Sequence, residues 1–297
     1  MKLSLYDLHC DTALEMYKCN KSFFDNDLSV SYKKAEQFQK YTQTMAIWSE
    51  HSLSDEDAFV QFLNVRKYLY DDLAKINLGP SRRVILAVED ARLLAGKLDR
   101  LDLLSELGVK ILTLTWSGIS CIGGAFDTDV PLTDFGRAVV SRCFDLGIVP
   151  DISHASRKVA ANVFEINTNN KPIIASHSDA YSVHPHPRNL TDTEFEQIKK
   201  SRGLVGINLY CEHLGVSEDS PKAIDKVIEH IDHYLSLGGE DTVCLGCDFD
   251  GALTPKQLKT VGDLTNIADR MIGLGYCEQI IEKIFSKNAE AFIENNF

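Results

Sequence analysis

The stretch LYDLHCDT, Leu5 to Thr12, sets Asp7, His9 and Asp11 at alternate positions behind an apolar start. In a β-strand, residues two apart share a face. The pattern therefore predicts one face that runs from Leu3 and Leu5 to Asp7, His9 and Asp11, apolar at first and ionisable at its C-terminal end. Similar residues follow other apolar runs. Glu89 closes RVILAVE, His154 stands in DISHAS, His177 in IIASHSD, and Asp248 in LGCDFDG. Taken singly, a buried histidine more often makes only core hydrogen bonds, and Asp248 suits a helix cap. Taken together, imidazoles and carboxylates at several strand ends suit a zinc site, and a shared carboxylate can bridge two ions. Asp7 reads either as a residue that orients a ligand or as an interior hydrogen-bonded carboxylate. Asp250 reads as a similar support or as a loop cap.

The elements that must position these residues alternate along the chain. Strands are predicted at 2–9, 42–49, 83–89, 110–116, 148–153, 172–177, 204–210 and 242–249. Several are nearly continuous apolar runs, as parallel strands covered on both faces require. Helical periodicity fills most of the gaps. One helix begins at the capping residue Ser54, and two others end at Gly108 and Gly147. Eight strands, each followed by helical sequence, predict an α/β fold of the (β/α)₈ TIM-barrel type, as a single domain over 1–297. The polar tract 19–32 reads as a long insertion between the first strand and the first helix. A doubly wound sheet would need a glycine-rich first turn, and HCDTALEM has none. In a barrel, residues at the C-terminal ends of several strands gather at one rim, where active sites lie.

Bulk composition narrows the partners. The net charge is −12, which disfavours nucleic acid. The sequence contains no 18-residue apolar run and no signal-type start, so neither a membrane span nor export is expected. Eight cysteines without framework spacing point to reduced thiols and a cytoplasmic location. Cys244 and Cys247 form a C-x-x-C inside a predicted strand, where redox or metal use is not expected. His51, His213, His230 and His233 fall in loops or on helices, and the last two read as solvated surface.

The motifs DLHCDT, AVED, LGVKILTLTW, DISHAS, ASHSDAYSVHPHPRNL, GINLY and LGCDFDG, in this order, resemble the membrane dipeptidase family, peptidase family M19 of the amidohydrolase superfamily. The resemblance covers nearly the whole chain. It implies a metal-dependent hydrolase barrel with two zinc ions. His9 and Asp11 would bind one ion with Asp248 close by, Glu89 would bridge, and His154 and His177 would bind the other. It implies that Arg188 grips a substrate carboxylate and that Tyr210 contacts substrate. Trp116 stands where well-studied members carry a histidine that holds substrate, so the substrate is less determined than the metal centre. The implied activity is hydrolysis of dipeptides, including those with a C-terminal D-residue, by a metal-bridging hydroxide with Asp248 as the proton carrier. The alternatives are another hydrolase of the superfamily, acting on an amide, lactone or N-acyl amino acid, or a weakened dipeptide-binding homologue. Other barrels of the superfamily commonly show His-x-His on strand one and a lysine after strand four. This chain has His-x-Asp and no such lysine. Homodimers occur in the family, so a homodimer is an open expectation here.

Overall fold

Largely buried runs of three to eight residues form seven parallel strands in a computed structural model that describes residues 2–297. They are β1 (Leu5–Cys10), β2 (Tyr41–Trp48), β3 (Arg82–Glu89), β4 (Val109–Thr113), β5 (Val149–Asp151), β6 (Val205–Ile207) and β7 (Val243–Leu245). Their order in the sheet is β5-β4-β3-β2-β1-β7-β6. The eighth predicted strand, 172–177, lies between β5 and β6 but forms only isolated parallel bridges, Ile174 to Asp151 and Ala175 to Val205. Hydrogen bonds from Ile174 N to Pro150 O (3.1 Å) and from Ala175 N to Leu204 O (2.9 Å) complete the ring there. The segment starts at Pro172, which has no N–H to donate. Its Ser176 carbonyl lies so close to Gly206 and Gly246 that a Cβ on either would stand 1.9 or 1.8 Å from the oxygen. The seam tolerates only glycine at these two approaches.

Helices alternate with the strands: α1 (Thr12–Cys19), α2 (Asp55–Leu73), α3 (Asp99–Glu106), α4 (Asp134–Leu146), α5 (Arg157–Ile166), α6 (Asp192–Lys200), α7 (Cys211–Leu214) and α8 (Ala223–Ser236) lead into the C-terminal helices. Ser54 caps α2 by accepting from Asp57 N (3.2 Å), and Gly147 ends α4 in the left-handed conformation. The polar tract is placed differently from the expectation. α1 follows β1 directly, so the long insertion lies between α1 and β2. The HCDTALEM turn needs no extra residues because Asp11 already starts the helix.

Two apolar clusters show which way side chains point. Tyr6, Leu8, Ala46, Ile85, Ala87, Ile111, Val149, Ile174, Leu204 and Cys244, drawn from every part of the ring, pack together in the barrel interior. Leu5, Cys10, Met45, Ile47 and Cys247 pack instead with the helix layer. The C-x-x-C thus splits between the two clusters, and all eight cysteines are free. Alternation along β1 is broken. Asp7 is the register partner of Gln43, but Cys10 is that of Met45, so a bulge inserts one residue between them. Asp7 therefore faces the outer layer while His9 turns to the interior, which corrects the shared face expected from period two.

Candidate metal centre

The strand ends bring the six predicted ligands to one rim. Glu89 ends β3 and faces inward with Ile85 and Ala87, the regular alternation of its strand. Its Oε2 lies 3.6 Å from His9 Nε2, and its Oε1 lies 2.9 Å from His154 Nε2 and 3.6 Å from His177 Nε2. One carboxylate thus stands between two groups of ligands. On one side, His9, Asp11 and Asp248 each offer a ligand atom within 4.8 Å of the others. On the other, His154 Nε2 and His177 Nε2 are 2.9 Å apart. Two of the six residues, His154 (φ 69°) and Asp248 (φ 59°), hold left-handed backbone conformations that non-glycine residues seldom adopt.

The hydrogen bonds behind the imidazoles fix their tautomers. His154 Nδ1 is 3.1 Å from the Trp116 carbonyl, which can only accept, so Nδ1 carries the proton. His177 Nδ1 is 2.7 Å from Ser176 Oγ, whose own hydrogen goes to Asp151 Oδ2 at 2.6 Å. His177 therefore also carries its proton on Nδ1. Both Nε2 lone pairs then point at each other and at a carboxylate. His9 Nε2 and Asp11 Oδ1 are buried with no hydrogen-bond partner. Converging lone pairs and orphaned acceptor sites in a buried cluster fit a cation, and an imidazole–carboxylate donor set fits zinc.

Charge and burial act against each other here. Burial opposes ionisation of Glu89, but the imidazoles of His9 and His154 beside it outweigh burial and hold the carboxylate below the usual range. Burial pushes Asp248 up to about 6, with His9 pulling it down and Glu89 pushing it up. Burial and then Arg188 bring His154 down to about 4, and burial, then His9 and Arg188, lower His177.

A cavity of about 470 Å³ opens over this cluster. Trp116, Arg188 and Tyr210 all line it, together with Trp48, Phe126 and His213. Arg188 is buried at 4% exposure, and its Nε has no partner. Its Nη2 makes one long bond of 3.4 Å to the His177 carbonyl, and among the described residues no carboxylate pairs with it. Tyr210 donates to Glu212 (2.8 Å), so its hydroxyl is held at the cavity rim.

Several residues stand apart from the sequence reading. Asp7 accepts from Cys247 N (2.8 Å) and Gln43 Nε2 (2.9 Å), which makes it a brace between strands. Asp250 accepts from Thr12 Oγ1 (2.6 Å) and Ser29 N (2.8 Å), tying the loop after β7 to the insertion. His230 is fully buried rather than solvated, accepting from Ala180 N at 3.1 Å. His213 is also buried, and Asn208 Nδ2 lies 3.3 Å from its Nδ1 and 3.1 Å from Asp248 Oδ2. The sequence hint for His213 was its place six residues past the end of β6, just after VGINLY. Asp151 escaped notice too. It accepts from Thr113 Oγ1 and Ser176 Oγ (2.6 Å each) and from the backbone of Ser153 and Ser176 (2.9 Å each). Its signal was the aspartate in VPDISH, at a strand end.

The membrane dipeptidase model, peptidase family M19, matches residues 1–294. Among curated relatives, dipeptidase aclJ of Aspergillus oryzae is 30% identical over 199 residues, 64% of this chain and 46% of that protein. An uncharacterised protein encoded in the pqqA 5′ region of Klebsiella pneumoniae is 32% identical over 58% of this chain and 64% of its own length. The match thus spans about half to two-thirds of these curated relatives. A metallopeptidase structure from Rhodobacter sphaeroides, liganded with a phosphinate mimic of L-Ala-D-Ala, superposes with a TM-score of 0.91 at 24% identity, covering all of both chains. A structure described as dipeptidase AC, of family M19, gives 0.91 at 25% identity, covering 100% of this chain and 99% of the other. The agreement of fold and whole-chain family match places this protein in the membrane dipeptidase family, peptidase family M19.

Proposed function

We propose that this protein is a zinc-dependent dipeptidase, one barrel domain along its whole length, that hydrolyses the peptide bond of small dipeptides. Two zinc ions are the metals proposed, with His9, Asp11 and Asp248 around one, His154 and His177 around the other, and Glu89 between them. Bound there, the metal supplies Lewis-acid polarisation of a carbonyl and a water of near-neutral pKa. The chain's own groups supply the rest. Asp248 takes the proton from the attacking water and delivers it to the leaving amine. Asn208, bonded to its Oδ2 at 3.1 Å, holds the carboxylate in place for both transfers. Arg188 binds the substrate's terminal carboxylate, and Tyr210 borders the substrate at the rim. The cavity walls keep bulk water from the reacting bond.

The observation that carries this reading is Arg188. A guanidinium buried beside an acid–imidazole cluster, without an anionic partner, costs several kcal/mol unless an anion completes it. A dipeptide carboxylate does so in a two-pronged geometry that lysine could not match. Eight free cysteines support a cytoplasmic location, and no helix among the described residues is long and apolar enough to cross a membrane.

The test is release of amino acids from L,L- and L,D-dipeptides by protein stripped of metal and then reloaded with zinc. Cleavage that returns with zinc is expected. A protein with two zinc ions bound that cleaves no dipeptide would sink the proposal. Arg188→Lys should raise KM far more than it lowers kcat.

A further inference from the structure

Around the ring, β2 and β3 stand opposite the 172–177 segment and β6. Arg188 sits on the latter side, where its guanidinium reaches the His177 carbonyl. On the opposite side, the cavity wall is aromatic. Trp48 ends β2 as the register partner of Glu89, so its indole faces inward beside that carboxylate. The Trp116 ring lies 5.0 Å from the Trp48 ring, tilted by 52°, and the His51 ring lies 4.7 Å from Trp116 on an exposed loop. Both indoles are half-buried and line the cavity. A dipeptide with its carboxylate on Arg188 and its peptide bond over the ligand cluster must lay its N-terminal residue on this far wall.

We propose that Trp48 and Trp116 form a side-chain subsite that selects dipeptides with a large apolar or aromatic N-terminal residue. The inference rests on the dipeptidase reading, which fixes the direction of the substrate. Tilted indole faces offer broad apolar area and the offset or edge-to-face geometry that aromatic rings prefer. A side-chain change at Trp116 leaves in place the carbonyl that bonds His154 Nδ1 at 3.1 Å.

The experiment measures Kd by calorimetry for phosphinate mimics of Ala-Ala, Leu-Ala and Phe-Ala on the zinc-loaded protein, each with the C-terminal alanine in L and in D form. The same series is run on Trp116→Ala and Trp116→Leu, with zinc content and circular dichroism recorded to establish folding. The expectation is binding of the Phe mimic about tenfold or more tighter than the Ala mimic, in line with what a hydrophobic pocket discriminates. That ratio should fall at least about fivefold in Trp116→Ala and less in Trp116→Leu. If the Ala mimic binds and the Phe mimic binds no tighter, the subsite is wrong while the dipeptidase reading stands. If Trp116→Ala weakens every mimic in step and keeps the ratio, the wall holds the α-ammonium instead, and the inference is overturned. If no mimic binds in either configuration, the dipeptidase reading falls and takes the subsite with it.

Discussion

His154 donates its Nδ1 proton to the backbone carbonyl of Trp116 at 3.1 Å. The residue after LTLT therefore serves the ligand cluster through its main chain, whatever its side chain. This explains how the imidazole behind it stays oriented whichever side chain stands at position 116.

It follows that Trp116→Phe should leave metal binding intact. Metal analysis after exhaustive dialysis should give the same zinc per chain as the unchanged protein. Loss of half the metal would mean that the indole itself steadies His154.

The pair Asp151 and Ser176 acts at one remove. Ser176 Oγ gives its hydrogen to Asp151 and receives the one from His177 Nδ1. Ser176→Ala removes the acceptor that fixes the His177 tautomer. Zinc affinity, read by competition with a chromophoric chelator, should drop about 10–100-fold. Asp151→Asn should do the same, because an amide can present an N–H to the hydroxyl and reverse the direction of the chain.

Asp248 is predicted to matter more to turnover than to metal retention. Asp248→Asn should lower kcat by about 10²–10⁴-fold while keeping most of the zinc, since the other five ligands remain. Near-normal kcat in that variant would assign the proton transfers to another group.

His230 sets a pH dependence of stability away from the metal. Burial lowers its pKa from 6.5 to about 4. The folded chain thus binds this proton less readily than the unfolded chain. Its contribution is complete above pH 6.5 and is lost as the pH falls toward 4, up to about 3 kcal/mol. Urea unfolding at pH 7.5 and pH 5 should show a smaller difference between the two pH values in His230→Gln than in the unchanged protein. An equal difference would remove His230 as the source.

Most of the fold was legible because buried parallel strands leave a local signature. RVILAVE and KILTLTW are mainly apolar, and β3 keeps the regular alternation that turns Glu89 inward. The 172–177 strand was legible as an apolar run, but its close approach to two distant glycines, Gly206 and Gly246, was not. The candidate ligands could be read because each stands at the end of such a strand or just after it. His213 and His230 could not, since a short or amphipathic helix does not declare which of its histidines a neighbouring loop will cover. Asp7 was misplaced because period two holds only while pairing stays in step, and nothing in YDLHC announces an extra residue.

The bulge in β1 makes the ligand at position 9 a matter of counting rather than of chemistry. A regular ladder would leave one inward position between Asp7 and Cys10; the bulge makes two, so that Leu8 fills the interior and His9 still reaches the rim. A single-codon insertion into an ordinary barrel strand can deliver a histidine to the interior. Lineages of such barrels could thus gain or lose a metal position through small insertions and deletions as readily as through substitution.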